Sequence, residues 1–318
     1  KQPEQITPGL PLFFATIFTQ QGISNGILVK SREGRPIKIE GNPSHPGSLG
    51  ATDGFTQASL LDMFDPDRSR QITHRGTDKP WETALSGLRK DLEKIKAGGK
   101  SVRILTETVT SPTLIAQIET FLKQYPNSSW VQYEPINRDP VVEGAKLAFG
   151  QTANVIYDFA KAYRVLALDS DFLTVGATSV RYARDFNSLR KTHLIHKHPK
   201  PGEHVDVPPT EEEMTRLYAV ESMLTSTGSV ADHRLPMKSS DVEGFARAVA
   251  KKLGVPGIDG PALTGAAEKW LEPLTDDLKA HKGSSVVIVG DHQPAVVHAI
   301  AHAINGHLEN IGKTVIVT

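Results

Sequence analysis

The sequence predicts an α/β protein in which a small N-terminal antiparallel β module precedes two doubly wound, Rossmann-like parallel-sheet units. Two observations carry this prediction. Beyond residue 74, short apolar runs alternate with amphipathic stretches of helical period, which is the pattern of parallel sheets covered by helices. Before residue 74, apolar and charged residues alternate singly around a Glu33-Gly34 turn, as they do in half-buried antiparallel strands.

The N-terminal module is expected to span residues 1–73. Its predicted strands are LFFATIF (12–18), ILVKS (27–31) and PIKIE (36–40), and a helix, TQASLLDMF, follows them. The last two strands flank a short turn in which Gly34 is expected to take a positive φ.

The remaining elements alternate between strand and helix. Apolar runs predict strands at 101–108, 130–135, 164–173, 216–222 and 284–290. Periodic segments predict helices at 80–98, 111–125, 141–150, 241–254 and 294–308. We expect residues 74–130 together with 283–318 to form the first Rossmann-like unit, and residues 131–282 to form the second.

Composition limits the possible functions. Lys+Arg and Asp+Glu both number 36, so the chain has no net field that would attract nucleic acid. It contains no cysteine, which excludes disulfides, thiolate zinc sites and cysteine-held iron–sulfur clusters within these residues. No apolar run approaches the roughly 18–20 residues that a spanning helix needs. The final KTVIVT is a strand pattern that stops abruptly, so we expect a piece of a longer polypeptide.

Two familiar site patterns lack their context. Gly22-Ile23-Ser24-Asn25-Gly26 matches the nucleophile elbow GxSxG, but a strand follows it where a hydrolase has a helix. Neither glycine-rich nucleotide fingerprint follows a predicted strand. The carboxyl-end loops of a parallel sheet remain the default ligand position, or are purely structural, and they are 108–111, 169–174, 221–225 and 290–293.

Histidines form two further groups. His193, His196, His198 and His204 crowd a proline- and lysine-rich stretch, where they are candidates for Zn²⁺ or Ni²⁺ or for a haem contact, although a solvated loop is favoured. His298 and His302 share a helix face, but no acidic third ligand lies at a motif distance. The second pair is therefore interpreted as histidines at the rim of the core.

One ordered motif is more specific. The chain carries Gly26, Val29, Arg32, Gly34, Pro36, Ile39, Gly41-Asn42-Pro43, His45-Pro46 and Asp65-Pro66-Asp67-Arg68. Further on it has Ala148-Phe149-Gly150, Ala231-Asp232-His233-Arg234-Leu235 and Asn310-Ile311-Gly312. In this order the residues resemble the N-terminal part of the molybdopterin oxidoreductase superfamily.

The chain departs from that family where its cofactors bind. Catalytic members place cluster-binding cysteines before and after the hairpin, whereas here the two loops, 19–25 and 50–56, hold no thiol. By the resemblance, Phe55 falls where a lysine conducts electrons between cluster and pterin. Asn137 falls near the molybdenum ligand, and Asp139 lies close to it. These residues, with Asp171 and Gly290, are the candidates for a vestigial cofactor pocket.

Both in the motifs that it keeps and in the cofactor residues that it lacks, the chain resembles one branch of the superfamily. That branch is the large iron–sulfur subunit of bacterial alternative complex III, a complex that oxidises quinol. The resemblance implies a non-catalytic domain that holds no cofactor or metal and acts as a scaffold. Iron–sulfur clusters are then expected in a C-terminal ferredoxin-like part of the polypeptide. The implied partners are a haem c subunit and a quinol-binding membrane subunit, on the periplasmic side of the bacterial cytoplasmic membrane. The alternative is a molybdopterin-dependent oxidoreductase domain that binds a pterin, with a non-thiolate metal ligand such as Asp139.

Overall fold

The computed structural model describes residues 6–20, 22–176, 178–191, 194–195, 206–207 and 214–318. Two compact units divide the chain, at residues 1–135 and 136–318. Each unit is described by itself below. The candidate histidines His193, His196, His198 and His204 lie outside the described residues.

Unit one begins with a three-stranded antiparallel sheet. Its strands are β1 (Leu12–Gln20), β2 (Ile23–Arg32) and β3 (Arg35–Gly41), in the order β1-β2-β3. Val29 faces Ile39 across the predicted β2–β3 hairpin. Gly34 has a φ of 80° and Glu33 a φ of 51°. Both turn residues are thus left-handed, as a tight hairpin turn requires, and the expected conformation of Gly34 is confirmed.

The rest of unit one, as far as the structure describes it, contains short sheets and three helices. The elements are α1 (Gly54–Asp62), β4 (Ile72–His74), β5 (Thr77–Lys79), α2 (Trp81–Ala97), β6 (Arg103–Thr106), α3 (Pro112–Gln124) and β7 (Ser129–Gln132). β4 and β5 form a small hairpin, whereas β6 and β7 pair in parallel. The side chain of Ser111 caps α3 by accepting a hydrogen bond from the Leu114 amide, and Pro112 occupies the first turn.

Unit two contains a four-stranded parallel sheet in the order β13-β12-β9-β14. The strands are β9 (Arg164–Leu168), β12 (Arg216–Glu221), β13 (His233–Pro236) and β14 (Ser285–Val289). β9 pairs with both β12 and β14 in parallel. All residues of β9 and β14 are buried, which agrees with their nearly continuous apolar sequences.

Helices and short strands complete this unit. They are α4 (Asp139–Phe149), β8 (Val155–Tyr157), α5 (Ser179–Ser188), β10 (Leu194–Ile195), β11 (Asp206–Val207), α6 (Ser226–Ser229), α7 (Val242–Leu253), α8 (Gly265–Ala280), α9 (Ala295–His307) and β15 (Val315–Val317). β8 and β15 form an antiparallel pair, as do β10 and β11.

The four-stranded sheet has an apolar cluster on each face. Leu166, Val220 and Val287 pack in one cluster with residues of α7, α8 and α9, including Phe245 and Ile304. The alternate strand residues pack in a second cluster with aromatic residues of α5 and its neighbours: Val165, Leu217, Val286, Phe159, Phe172, Tyr182 and Phe186. Helices therefore cover both faces, and the carboxyl ends of the four strands lie at one edge of the sheet.

One expected grouping differs from the structure. Residues 283–318 were expected to join residues 74–130, but β14 pairs with β9 along Ser285–Val289 and lies in unit two. A buried apolar run predicts a strand without specifying its partner, so the sequence pattern did not determine which sheet β14 enters.

The outer edge of β14 is bound by a side chain of α9. Asn305 Oδ1 accepts a hydrogen bond from Val287 N at 3.0 Å, and Asn305 Nδ2 donates to Val287 O at 2.8 Å. Asn310 Nδ2 donates to Asn305 Oδ1 at 3.0 Å and holds the amide in place. Asn305 thus takes up backbone groups that an edge strand would otherwise leave open to another chain.

Within the described ranges, no helix has both the length and the apolar character that crossing a membrane requires.

Candidate functional site

The N-terminal motif is held together by close contacts at glycine. A Cβ atom on Gly26 would overlap the ring of His45, and one on Gly41 would overlap the backbone of Gly50. The segment between Gly41 and Gly50 therefore folds directly back onto β2 and β3. These contacts explain why the motif needs glycine at both positions.

Backbone hydrogen bonds around Asn42 fix the same bend. Asn42 N donates to Gly26 O, while Asn42 O accepts from both His45 N and Gly50 N, each at 3.0 Å. The Asn42 side chain accepts from Ser44 N at 3.0 Å. The motif thus specifies a rigid bend, independently of any cofactor.

The two loops that would surround a cluster are occupied by strand pairing and a helix cap. β1 and β2 stay paired into the first loop, where Gln20 faces Ile23. In the second loop, Asp53 caps α1 by accepting hydrogen bonds from Thr56 N at 2.6 Å and Thr56 Oγ1 at 3.1 Å. Neither loop offers a thiolate, so these residues do not fit a cysteine-held cluster. Phe55, in the first turn of α1, is 76% exposed.

Unit two brings its carboxyl-end loops together on one carboxylate, that of Asp169 at the end of β9. Oδ1 accepts from Ser222 N at 2.9 Å and Ser222 Oγ at 3.0 Å. Oδ2 accepts from Ser239 Oγ at 2.7 Å, His292 Nε2 at 2.9 Å and Gln293 Nε2 at 2.8 Å. The five donors come from the loops after β12, β13 and β14. Asp169 therefore binds the loops of all four parallel strands to one another.

The backbone at Asp169 is adapted to this role. Its φ is 51°, a left-handed conformation that aspartate tolerates better than most residues. Its amide donates to Val220 O at 2.7 Å, which continues the β9–β12 pairing by one residue. A Cβ on Gly290 would overlap the Asp169 carbonyl oxygen. Gly290 is thus required by the close approach of the two loops, which gives a structural reason for this predicted pocket residue.

Electrostatics at this edge favour an ionised Asp169. Burial alone would raise the pKa of Asp169, but the hydrogen bonds from His292, Ser222 and Ser239 outweigh it and hold that pKa well below its usual range. The same bond to Asp169 raises the pKa of His292, against the opposing effect of its partial burial. The pair is therefore a charge-assisted hydrogen bond whenever His292 is protonated.

Two other carboxylates at the same edge are also bound within the fold. Asp171 Oδ1 accepts from Thr227 N at 2.9 Å and Thr227 Oγ1 at 2.7 Å, and its Oδ2 binds Thr174 Oγ1. Glu221, buried at the end of β12, pairs with Arg234 and accepts from Thr225 Oγ1 at 2.7 Å. The structure thus uses Asp171, a predicted pocket candidate, to join the β9 and β12 loops.

The candidates Asn137 and Asp139 flank Arg138, whose side chain reaches the loop after β14. Arg138 Nε lies 3.2 Å from Asp291 Oδ2. Asn137 Oδ1 accepts from Asp139 N at 3.1 Å and so shapes the start of α4, and both side chains are exposed. Among the described residues, no group of three or more His, Cys, Asp or Glu side chains is arranged to hold a metal ion. The hydrogen bond that Asn137 accepts from the Asp139 amide gives its side chain a structural role at the start of α4.

His298 and His302, interpreted from the sequence as histidines at the rim of the core, are both buried. Each is only 4% exposed. A Cβ on Gly144 would overlap His298, so α4 packs closely against α9, and the His302 ring centroid lies 5.1 Å from that of Phe149. Burial lowers the pKa of both histidines to about 4. They are therefore neutral packing residues at pH 7.

The edge was predicted from the sequence, but the central role of Asp169 within it was not. The loops 169–174, 221–225 and 290–293 meet there, as parallel strands require. Ser239 lies outside every predicted loop, and Asp169 was not singled out as an acceptor. A carboxylate directly after a buried strand was the available signal. The GxSxG pattern contributes nothing here, because Ser24 lies within β2.

Fold and site together define a class: an α/β chain with an N-terminal antiparallel module and a four-stranded parallel sheet whose carboxyl edge is held by internal hydrogen bonds. No family model matches the chain. In sequence it is 26% identical, over 242 residues, to the molybdopterin-binding-like subunit of menaquinone reductase from Nitratidesulfovibrio vulgaris. The match covers 74% of this chain and 32% of that protein.

In fold, the chain is similar to acetylene hydratase from Pelobacter acetylenicus. The TM-score is 0.58 at 12% identity, over 95% of this chain and 44% of the hydratase chain. The structural similarity shows a shared fold. The sequence similarity to a molybdopterin-binding-like subunit supports the resemblance to the molybdopterin oxidoreductase superfamily seen in the motifs. The chain spans less than half the length of either protein.

Proposed function

We propose that the chain is a non-catalytic, molybdopterin oxidoreductase-like domain that acts as a scaffold in a membrane-bound, quinol-oxidising respiratory complex. The similarity to a subunit of a menaquinone reductase supports the respiratory setting. The scaffold role is supported by the internal bonding of the loops that bind cofactors in catalytic relatives.

The observation that carries this proposal is the bonding of Asp169. Its carboxylate accepts five hydrogen bonds at the edge where parallel sheets bind ligands. In unit one, the corresponding loops hold paired strand residues and a helix cap. Residues that support the fold thus stand at both positions where a catalytic relative would hold a cofactor.

The finer assignment is to the large iron–sulfur subunit of alternative complex III. In this proposal the part that contains the β6–β7 pair and the part that contains the four-stranded sheet are each a doubly wound, Rossmann-like unit. Electrons pass through clusters in a C-terminal ferredoxin-like part of the polypeptide. The partners are a haem c subunit and a quinol-binding membrane subunit on the periplasmic side.

The test is metal analysis of the purified native complex. We expect iron and haem but no stoichiometric molybdenum or tungsten, together with quinol-dependent reduction of the haem. Stoichiometric molybdenum or tungsten would overturn the scaffold role in favour of a pterin-binding domain. Absence of haem and of quinol-dependent electron transfer would overturn the assignment to this complex.

A further inference from the structure

The donors around Asp169 are the kind that proteins use to bind small anions. They comprise a backbone amide, two serine hydroxyls, a carboxamide and an imidazole. Such a mixed set of backbone and side-chain donors at the carboxyl end of a parallel sheet matches the chemistry of phosphate recognition. In this protein the anion that these donors bind is the carboxylate of Asp169 itself.

Holding the donors around this acceptor has an energetic cost, which falls on Gln293. Gln293 is 1% exposed, and its Nε2 points to Asp169 and to Ser239 Oγ at 2.7 Å. Its Oε1 has no partner among the described residues. A buried acceptor without a partner is unfavourable, so the orientation of this amide is set by what Nε2 binds.

The backbone places the carboxylate at the centre of these donors. Because Asp169 is left-handed and its carbonyl packs against Gly290, its side chain projects from a fixed point between the β12 and β14 loops. Each carboxylate oxygen accepts at least two hydrogen bonds, leaving little capacity for an external cation or donor.

We propose that the Asp169 carboxylate is a built-in anion that occupies a phosphate-type binding position at the carboxyl edge of the four-stranded sheet. This inference rests on the proposed function and deepens it, because it names the group that takes the place of a phosphate-bearing cofactor. Removal of the carboxylate leaves a position that binds inorganic phosphate.

The test compares wild-type full-length protein with the Asp169→Gly variant. Glycine suits the left-handed backbone and leaves the five donors in place. The two measurements are retention of labelled inorganic phosphate in equilibrium dialysis and local hydrogen exchange in peptides that cover residues 222–225 and 290–293. We expect faster exchange in the variant, reversed by millimolar phosphate, and stoichiometric retention of phosphate.

The matched control is Asp171→Ala in the same loop. Among the residues that the structure describes, Asp171 accepts from two threonines, Thr174 and Thr227, so the Asp171→Ala variant is expected to retain no phosphate. Wild-type protein is expected to retain none and to show no phosphate protection of these peptides. A folded Asp169→Gly variant that retains no phosphate would contradict the inference.

The wild-type measurement needs no variant and can overturn the inference even if Asp169→Gly fails to fold. Phosphate protection of the wild-type loops would overturn the inference while leaving the proposed function intact, since it implies no molybdenum. Conversely, molybdenum in the native complex would overturn the proposed function without a change in phosphate binding.

Discussion

His292 Nε2 lies 2.9 Å from Asp169 Oδ2, although 123 residues separate the two along the chain. The contact joins the loop after β14 to the loop after β9, and it couples the titration of the two side chains. Asp169 is 7% exposed, whereas the His292 side chain is 55% exposed. The buried carboxylate therefore has the structural role, and the titration of the exposed imidazole shows whether the contact is present.

Replacing Asp169 by Asn removes the charge while keeping the shape. The pKa of His292, which the carboxylate raises, is expected to fall toward the ordinary histidine value of 6.5 in Asp169→Asn. Asp291 also favours the protonated imidazole, so part of the elevation remains. Proton NMR of the imidazole, assigned with a His292→Gln variant, measures the change. Identical titrations in wild type and variant would show that the two side chains are not in contact in solution.

The same pair predicts how stability depends on pH. Since folding lowers the pKa of Asp169, its contribution is present above the unfolded value of about 4 and is lost as pH falls below it. His292 has the opposite sign: its folded pKa is raised, so its contribution is full below the unfolded pKa and disappears as pH rises through the folded one. Urea unfolding across pH is expected to show the acid loss in wild type and a smaller one in Asp169→Asn.

Gly290→Ala tests the close approach of the β9 and β14 loops. The added Cβ overlaps the Asp169 carbonyl oxygen, which is backbone and cannot move without displacing its loop. We expect the free energy of unfolding to fall by about 1–3 kcal/mol, the usual cost of overpacking. Urea unfolding followed by circular dichroism measures it.

The control for that variant is Gly306→Ala in α9. Its Cβ would lie 3.6 Å from the Ile311 side chain, an ordinary contact, and alanine favours helices. It is expected to be neutral or to stabilise by up to about 1 kcal/mol. An equal loss in both variants would mean that the Gly290 contact is not specific.

Local patterns in the sequence predicted the elements whose signals are local. The β2–β3 hairpin follows from Glu33-Gly34, and the start of α3 follows from Ser111-Pro112. α8 was missed because Pro273, inside the helix, interrupts the pattern. α5 was missed because its buried apolar residues are only two aromatics, Tyr182 and Phe186, in a polar stretch, too few to establish a helical period.

Long-range hydrogen bonds were beyond reach of the same reasoning. Ser239 and Gln293 lie 70 and 124 residues from Asp169, and nothing in their local sequence pairs them with it. The edge itself was predictable, because every parallel sheet places its strand ends together. Which carboxylate accepts the five hydrogen bonds depends on the backbone conformation at Asp169. Hydrophobic periodicity in the sequence carries no information about that conformation.

Asn305→Ala tests the side chain that binds the edge of β14. The substitution leaves Val287 N and Val287 O without their partners in a buried position. We expect a loss of about 3 kcal/mol in the free energy of unfolding, since each unsatisfied group costs on the order of 1–3 kcal/mol. Chemical denaturation provides the value.

Asn187→Ala is the comparison for the loss of an asparagine in the same unit. Asn187 Nδ2 donates to Ala183 O at an exposed position on α5, so its removal is expected to change stability by about 0.5 kcal/mol or less. A loss in Asn305→Ala no larger than this would argue against the edge-binding role.

His302→Leu tests whether the buried histidine is a packing residue. Neither ring nitrogen of His302 has a hydrogen-bond partner among the described residues, and burial lowers its pKa to about 4. Because the unfolded value is about 6.5, protonation of the unfolded chain destabilises the folded state as pH falls from 6.5 toward 4. The variant is expected to be as stable as wild type at pH 7 and more stable at pH 5, as measured by urea unfolding at both pH values.

The comparison variant is His307→Leu, which lies at the last residue of α9 and is only partly buried. It replaces the same residue type on the same helix without removing unpaired buried nitrogens, so we expect no selective gain at pH 5. His298 shares the lowered pKa and remains in both variants, so some acid sensitivity persists. A large loss of stability in His302→Leu at pH 7 would show that the imidazole binds a group that leucine cannot replace, which would overturn its role as a packing residue.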